Sequence, residues 1–252
     1  MRIGLVLSGG GARGLAHLGV LHALDELGVH VDEIAGTSAG SVAGAYYLAG
    51  HKPEETMKYI GSFKLFSWAR LLWQKPGIMS IHKLGQLYSK RLPDSFEKLN
   101  KQLTIVATDL LKGELRYFTQ GPLIPAICAS SAIPVIFEPV RIDDKLYIDG
   151  GVLNNFPIEP LLNSCDRIIG VHTNPMDTTT LKKIGIRDVL DRSMHLAINQ
   201  KLNHKKEICS VFLEPITCMN VGMFDLSAAE HLFKGGYDCA MEKKSELLKL
   251  RK

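Results

Sequence analysis

The sequence predicts a three-layer α/β/α fold built on a mainly parallel central sheet, and two observations carry that prediction. Two strand–loop–helix units follow one another within the first fifty residues. Such units bury their apolar faces by pairing strands in parallel and packing helices on the sheet. Further short apolar runs at 103–107, 167–172 and 210–213 have the length and bounding of buried strands.

The elements follow in chain order. Ile3–Leu7 is an apolar strand entering Ser8-Gly9-Gly10-Gly11. Leu15, Leu18, Leu21, Leu24 and Leu27 recur at three-residue steps before Gly28, as an amphipathic helix with a glycine C-cap does. Residues 31–35 form a second strand, and Gly36-Thr37-Ser38-Ala39-Gly40 turns it into a small-residue helix ending near Gly50. The stretch 53–91 is helical but irregular, with Phe63, Phe66, Trp68, Leu72 and Trp73 crowded ahead of Pro76-Gly77.

After the strand at 103–107, Lys112-Gly113 turns a hairpin into 114–119. A helix over 122–131 precedes a second hairpin, 137–142 with 146–148, turned by Asp143-Asp144-Lys145. The strand at 167–172, a long helix over 186–207 and a last strand at 210–213 complete the sheet and its cover. Ser227 and Glu230 form an S-x-x-E capping box for the C-terminal helical segment. No repeat, low-complexity tract or linker interrupts the chain, so residues 1–252 read as one domain.

Composition narrows the function classes. A net charge of +4 is too small to imply nucleic acid and is at most compatible with an anionic membrane surface. Five widely spaced cysteines without a CxxC pair indicate reduced thiols and a cytoplasmic setting, not a disulfide framework or a zinc site. The N-terminus lacks a signal-peptide core, since Arg13 stands where its hydrophobic centre would lie. The longest uncharged stretch, 117–137, contains three prolines and cannot run as a spanning helix. If lipid matters here, the expectation is a protein that visits the membrane surface rather than living in it.

Gly36-Thr37-Ser38-Ala39-Gly40 fits G-x-S-x-G between a strand and a helix. A nucleophile on such a turn is held in strained backbone, with the next helix aiming its amides at developing negative charge. The plainer reading is a tight turn whose serine caps a helix. Gly9-Gly10-Gly11-Ala12-Arg13-Gly14 contains G-x-G-x-x-G, yet the acids a bound ribose needs at the end of the second strand are missing. Asp32 and Glu33 stand at its start instead. The competing reading makes the glycine amides an oxyanion hole. Arg13 either binds a phosphate headgroup, braces the loop, or lies on the surface.

None of His51, His82, His195, His204 or His231 has the loop context of a triad histidine; His172, at a strand end, is the hardest to dismiss. Another base offers itself in Tyr147-Ile148-Asp149-Gly150-Gly151, an aspartate at a strand end before two glycines. A carboxylate beside a serine hydroxyl can accept its proton, although an aspartate in a hairpin exit turn needs no such role.

In order and spacing, the glycine loop, the G-T-S-A-G turn and the D-G-G step resemble those of the patatin-like phospholipases. Ala129-Ser130-Ser131-Ala132-Ile133-Pro134 and Asn154-Asn155-Phe156-Pro157 are similar to the family's segments on either side of its catalytic aspartate. The resemblance covers residues 1–175, while 176–252 match only loosely. It implies a patatin-like fold, a Ser–Asp dyad of Ser38 and Asp149, and an oxyanion hole in the Gly9, Gly10, Gly11 and Ala12 loop. Arg13, Gly14, Gly36, Gly40, Gly150 and Gly151 support these motifs. It further implies a lipid or other acyl-ester substrate, with neither metal nor cofactor. The segment 63–79 matches no family pattern and reads either as a lipid-facing rim or as packing. A dinucleotide-binding module and a non-catalytic relative are the rival readings.

Overall fold

The computed structural model describes residues 1–63, 81–176, 193, 196, 199 and 202–251. One sheet runs through them in the order β5-β6-β3-β2-β1-β7-β8, with β4 paired to β3 off that path. Its strands are β1 (Ile3–Leu7), β2 (Glu33–Thr37), β3 (Gln102–Asp109), β4 (Glu114–Phe118), β5 (Val140–Ile142), β6 (Lys145–Asp149), β7 (Arg167–Val171) and β8 (Val211–Leu213). The pairs β1–β2, β2–β3, β1–β7 and β7–β8 are parallel. The pairs β3–β4, β3–β6 and β5–β6 are antiparallel.

Both faces are covered, and β1 shows it residue by residue. Leu5 and Leu7 join the large core with Leu18, Leu21, Ile34 and Ile105. Val6 points the other way, into a smaller core with Ala35, Phe156, Leu161 and Ile168. A strand buried on both sides must be apolar throughout, which is why 3–7 is a continuous run rather than an alternation. On the large-core side lie α1 (Leu15–Glu26), α2 (Ala39–Leu48), α3 (Pro53–Gly61), α4 (His82–Tyr88) and α5 (Leu123–Ser130), followed along the chain by the single turn α6 (Gly151–Asn154). The smaller core is flanked by α7 (Leu202–Ile208), through Leu202. The C-terminal helices α8 (Ala229–Glu242) and α9 (Lys244–Leu248) return to the large core.

The structure shifts two sequence expectations. The second strand begins at Glu33 and runs on to Thr37, because Gly36 pairs with both Leu7 and Ile105, and Thr37 with Val106. The expected Ser227–Glu230 capping box does not form. Asp225 accepts both the amide (3.1 Å) and the hydroxyl (2.5 Å) of Ser227, capping a short 3-10 turn, and α8 begins after it with no side-chain cap. Most of the helix expected over 186–207, and the aromatic stretch after Phe63 with Trp68 and Trp73, lie outside the described residues. Among the described residues no helix is long and apolar enough to cross a membrane.

Candidate active site

Ser38 sits between the last residue of β2 and the first of α2 with φ 51° and ψ −121°. A non-glycine residue in the left-handed region is strained by about 1–3 kcal/mol and persists only where its surroundings over-determine it. Here they do. The Ser38 amide donates to Ser130 Oγ at 2.8 Å, and the Ser38 carbonyl accepts from Ser41 Oγ at 2.6 Å. Gly40 brings α2 so close to β1 that a Cβ would run into the Leu7 carbonyl. Small residues flank the serine for that steric reason.

Asp149 reaches Ser38 through a hand-over on β3. Ile105 of β3 pairs with Gly36 on one edge and Phe118 on the other, and Ala107 pairs with Asp149 and Arg116. Since β4 keeps one edge throughout, β2 and β6 share the opposite edge in succession. Thr37 is therefore the partner of Val106, and Asp149 the partner of the next residue, Ala107. The C-terminal ends of two strands meet head to head.

Ser38 and Asp149 line the same cleft, where the Ser38 side chain favours the ionised Asp149 carboxylate, and the Gly151 amide donates to Asp149 Oδ1 at 2.7 Å. Burial pushes the Asp149 carboxyl up to about 6, against the opposing pull of those two donors. A raised carboxylate is a stronger base than a solvated aspartate while remaining ionised at neutral pH.

The glycine loop lies across the same cleft, whose lining includes Gly10, Gly11, Ser38, Asp149, Asn174 and Met223. Two of the four loop amides are committed within the protein: Gly9 N–H donates to Asn155 O at 3.1 Å and Ala12 N–H to Met223 O at 2.7 Å. Among the described residues the amides of Gly10 and Gly11 meet no acceptor. Gly11 has φ 58°, and a Cβ there would strike the Met223 backbone. Arg13 is buried and its Nε donates to Val221 O at 2.7 Å, so it braces the loop and is not a surface residue. Gly14 packs against Ala39, Gly36 against Gly40, and Gly150 against the Val106 carbonyl, which ties the motif glycines to the strand ends around Ser38.

The histidines lie elsewhere. His172 is buried, pairs through Nδ1 with Glu214 at 2.9 Å, stacks on Phe212 and does not line the cleft. His51 engages the Arg91 carbonyl at 2.8 Å, His204 and His231 are exposed, and His195 lies outside the described residues. The acids near β2 are also engaged away from the site. Asp32 accepts the Ile3 amide at 2.8 Å, and Glu33 holds Arg2 and Ser164. Among the described residues no group of three or more histidine, cysteine or acidic side chains is gathered as metal ligands.

Sequence reasoning missed four contributors. Met223 lines the cleft from beyond the motif-bearing part and Asn174 from its very end, and no local pattern marks either. Thr173 and Ser8 are fully buried and hydrogen-bonded to each other's segments, the Thr173 amide donating to Ser8 Oγ at 3.0 Å.

The profile of the patatin-like phospholipase family matches residues 5–162. An uncharacterized NTE family protein of Mycobacterium tuberculosis is 37% identical over 187 residues, which is 69% of this chain and 49% of the relative. The lysophospholipase NTE1 of Candida glabrata is 30% identical over 194 residues, 73% of this chain and 11% of the relative. The chain thus spans about half the length of the mycobacterial relative or less. Two solved structures share the fold. VipD from Legionella pneumophila has a TM-score of 0.54 at 18% identity, covering 99% of this chain and 67% of that one. Human GIVD cytosolic phospholipase A2, in complex with methyl gamma-linolenyl fluorophosphonate, has a TM-score of 0.55 at 12% identity, covering 99% and 58%.

Proposed function

Because this chain belongs to the patatin-like phospholipase family, we propose that it is a lipid acyl hydrolase in which Ser38 is the nucleophile and Asp149 its base. The observation that carries the reading is Ser38, at the N-terminus of α2, sharing one cleft with a buried Asp149 whose carboxyl is raised to about 6. In the first step Ser38 Oγ attacks the ester carbonyl carbon while its proton passes to Asp149. The tetrahedral oxyanion collapses, and the leaving alkoxide takes that proton and departs as the alcohol. Water then attacks the acyl-enzyme, giving its proton to Asp149. Collapse of the second intermediate releases the fatty acid and returns the proton to Ser38.

The oxyanion donors in this scheme are the amides of Gly10 and Gly11, the two left without an acceptor, assisted by the positive end of α2. Gly9 and Ala12 hold the loop in shape instead. The substrate is a phospholipid or lysophospholipid reached from a lipid surface. Pro134 and the exposed Val152 line the cleft, and the exposed Val135 (84%, φ 71°) and Leu153 follow them in sequence. Bare valine at positive φ is expensive, and contact with acyl chains gives it a use.

A fluorophosphonate probe tests the reading directly. It labels wild type and leaves Ser38→Ala unlabelled, whereas a dinucleotide-binding module or a non-catalytic relative would leave both unlabelled.

A further inference from the structure

The two peptide units leading into Gly10 are held at every polar atom but one. The Ser8 carbonyl is engaged by His17 Nε2 at 2.8 Å, and the Gly9 amide by Asn155 O at 3.1 Å. That fixes the Ser8–Gly9 peptide at both ends. In the next unit the Gly9 carbonyl is crowded with donors: Asn174 Nδ2 at 2.6 Å, Ser8 Oγ at 3.0 Å, Thr173 Oγ1 at 3.3 Å and Asn155 Nδ2 at 3.5 Å. A carbonyl oxygen has two lone pairs, so four donors exceed what satisfaction requires. All four side chains are buried. The Gly10 amide, at the other end of that peptide, meets no acceptor among the described residues and borders the cleft.

We infer that Asn174, Thr173 and Ser8 are positioning residues whose cage on the Gly9 carbonyl aims the Gly10 amide at the oxyanion. The inference rests on the acyl-transfer reading of the site. In a trans peptide the carbonyl and the following N–H point in opposite directions, and the chain has no cis bond. Fixing the carbonyl fixes the amide. Donors on the carbonyl also polarise the peptide and strengthen the hydrogen bond its N–H can give. A preorganised donor needs no reorientation as charge develops, which is the source of oxyanion-hole stabilisation. Asn174 and Thr173 follow directly on β7, which pairs with β1, and Ser8 follows directly on β1, so the cage is anchored at the ends of two neighbouring strands.

The test compares wild type with Asn174→Ala, Thr173→Val and Thr173→Ser for p-nitrophenyl ester hydrolysis, fluorophosphonate labelling and thermal unfolding. Asn174→Ala and Thr173→Val should each lower kcat roughly 10- to 100-fold, less than full loss of an oxyanion donor, with KM little changed. Labelling should slow in parallel, because phosphonylation passes through the same anionic geometry. Thr173→Ser keeps the hydroxyl and should recover most of the loss. Thr173 is fully buried and does not line the cleft, so a loss of kcat there does not come from substrate contact. Folded variants that keep wild-type kcat, or that change only KM, overturn the cage while wild-type labelling leaves the acyl-transfer reading standing. A wild type that neither hydrolyses nor labels overturns that reading and the cage with it.

Discussion

The hydroxyl of Ser130 accepts the amide proton of Ser38 at 2.8 Å and passes its own to the carbonyl of Val106 at 2.6 Å. One buried side chain thereby ties the strained serine to the strand beside it. Ser130→Ala leaves a buried donor and a buried acceptor unpaired, which costs about 1–3 kcal/mol for each group left unsatisfied. The expected outcome is a lower urea midpoint together with a fall in kcat. Unfolding curves and ester hydrolysis on the same preparation check both.

Ser38 itself should be a stability liability. Its φ of 51° suits glycine and no β-carbon-bearing residue. Ser38→Gly is expected to be more stable than Ser38→Ala by roughly 1 kcal/mol, while both lose at least about a thousandfold in activity. Equal melting temperatures for the two variants would contradict the strain.

The Asp149 carboxyl, raised to about 6 by burial, sets the acid limb of catalysis. The base must be ionised, so kcat/KM should rise tenfold per pH unit below about 6 and level off above it. A profile with its midpoint near 4 would assign the base elsewhere.

Stability against pH should show two opposed slopes. Asp149 is raised in the folded state, so folding favours its protonated form. Between the unfolded value near 4 and the folded value of about 6, stability falls as pH rises. His17 runs the other way. Burial holds it down to about 4, so the unfolded chain takes up a proton that the folded one refuses. Stability is therefore lost as pH falls from about 6.5 to about 4. Each slope amounts to about 3 kcal/mol across its window, and in wild type they largely cancel. Asp149→Asn should be more stable than wild type at pH 8 and should lose that advantage as pH falls from about 6 to about 4, where wild-type Asp149 takes up its proton. Melting temperatures of the two proteins from pH 4 to pH 8 measure it.

Sequence alone carried the fold and half of the site. Ile3–Leu7 and Gly36 to Gly40 are legible because a doubly buried strand and a close helix approach each admit few residue types. Asp149 was visible only by elimination and resemblance, since nothing in Tyr147 to Gly151 says which edge of β3 its strand will join. The glycine loop looked like a run of four equivalent amides. Which of them stay open depends on Asn155 and Met223, the latter more than 200 residues away in the chain. Asn174 stands 165 residues from the Gly9 carbonyl it holds, beyond the reach of any local pattern. The Ser227 capping box failed for a local reason, because Asp225 competes for the same groups.

The hand-over from β2 to β6 along β3 makes the distance between Ser38 and Asp149 a property of one strand's covalent repeat. Two successive residues of that strand are spaced by about 3.3 Å whatever the surrounding loops do. Lengthening or recomposing those loops therefore leaves the two side chains in step, and substrate preference is free to drift. Inserting a single residue between Val106 and Ala107 would instead slide Asp149 along by one position and invert its face. Loops outside the motif glycines and the Gly9 cage can be varied, but the spacing in the middle of β3 has to be inherited whole.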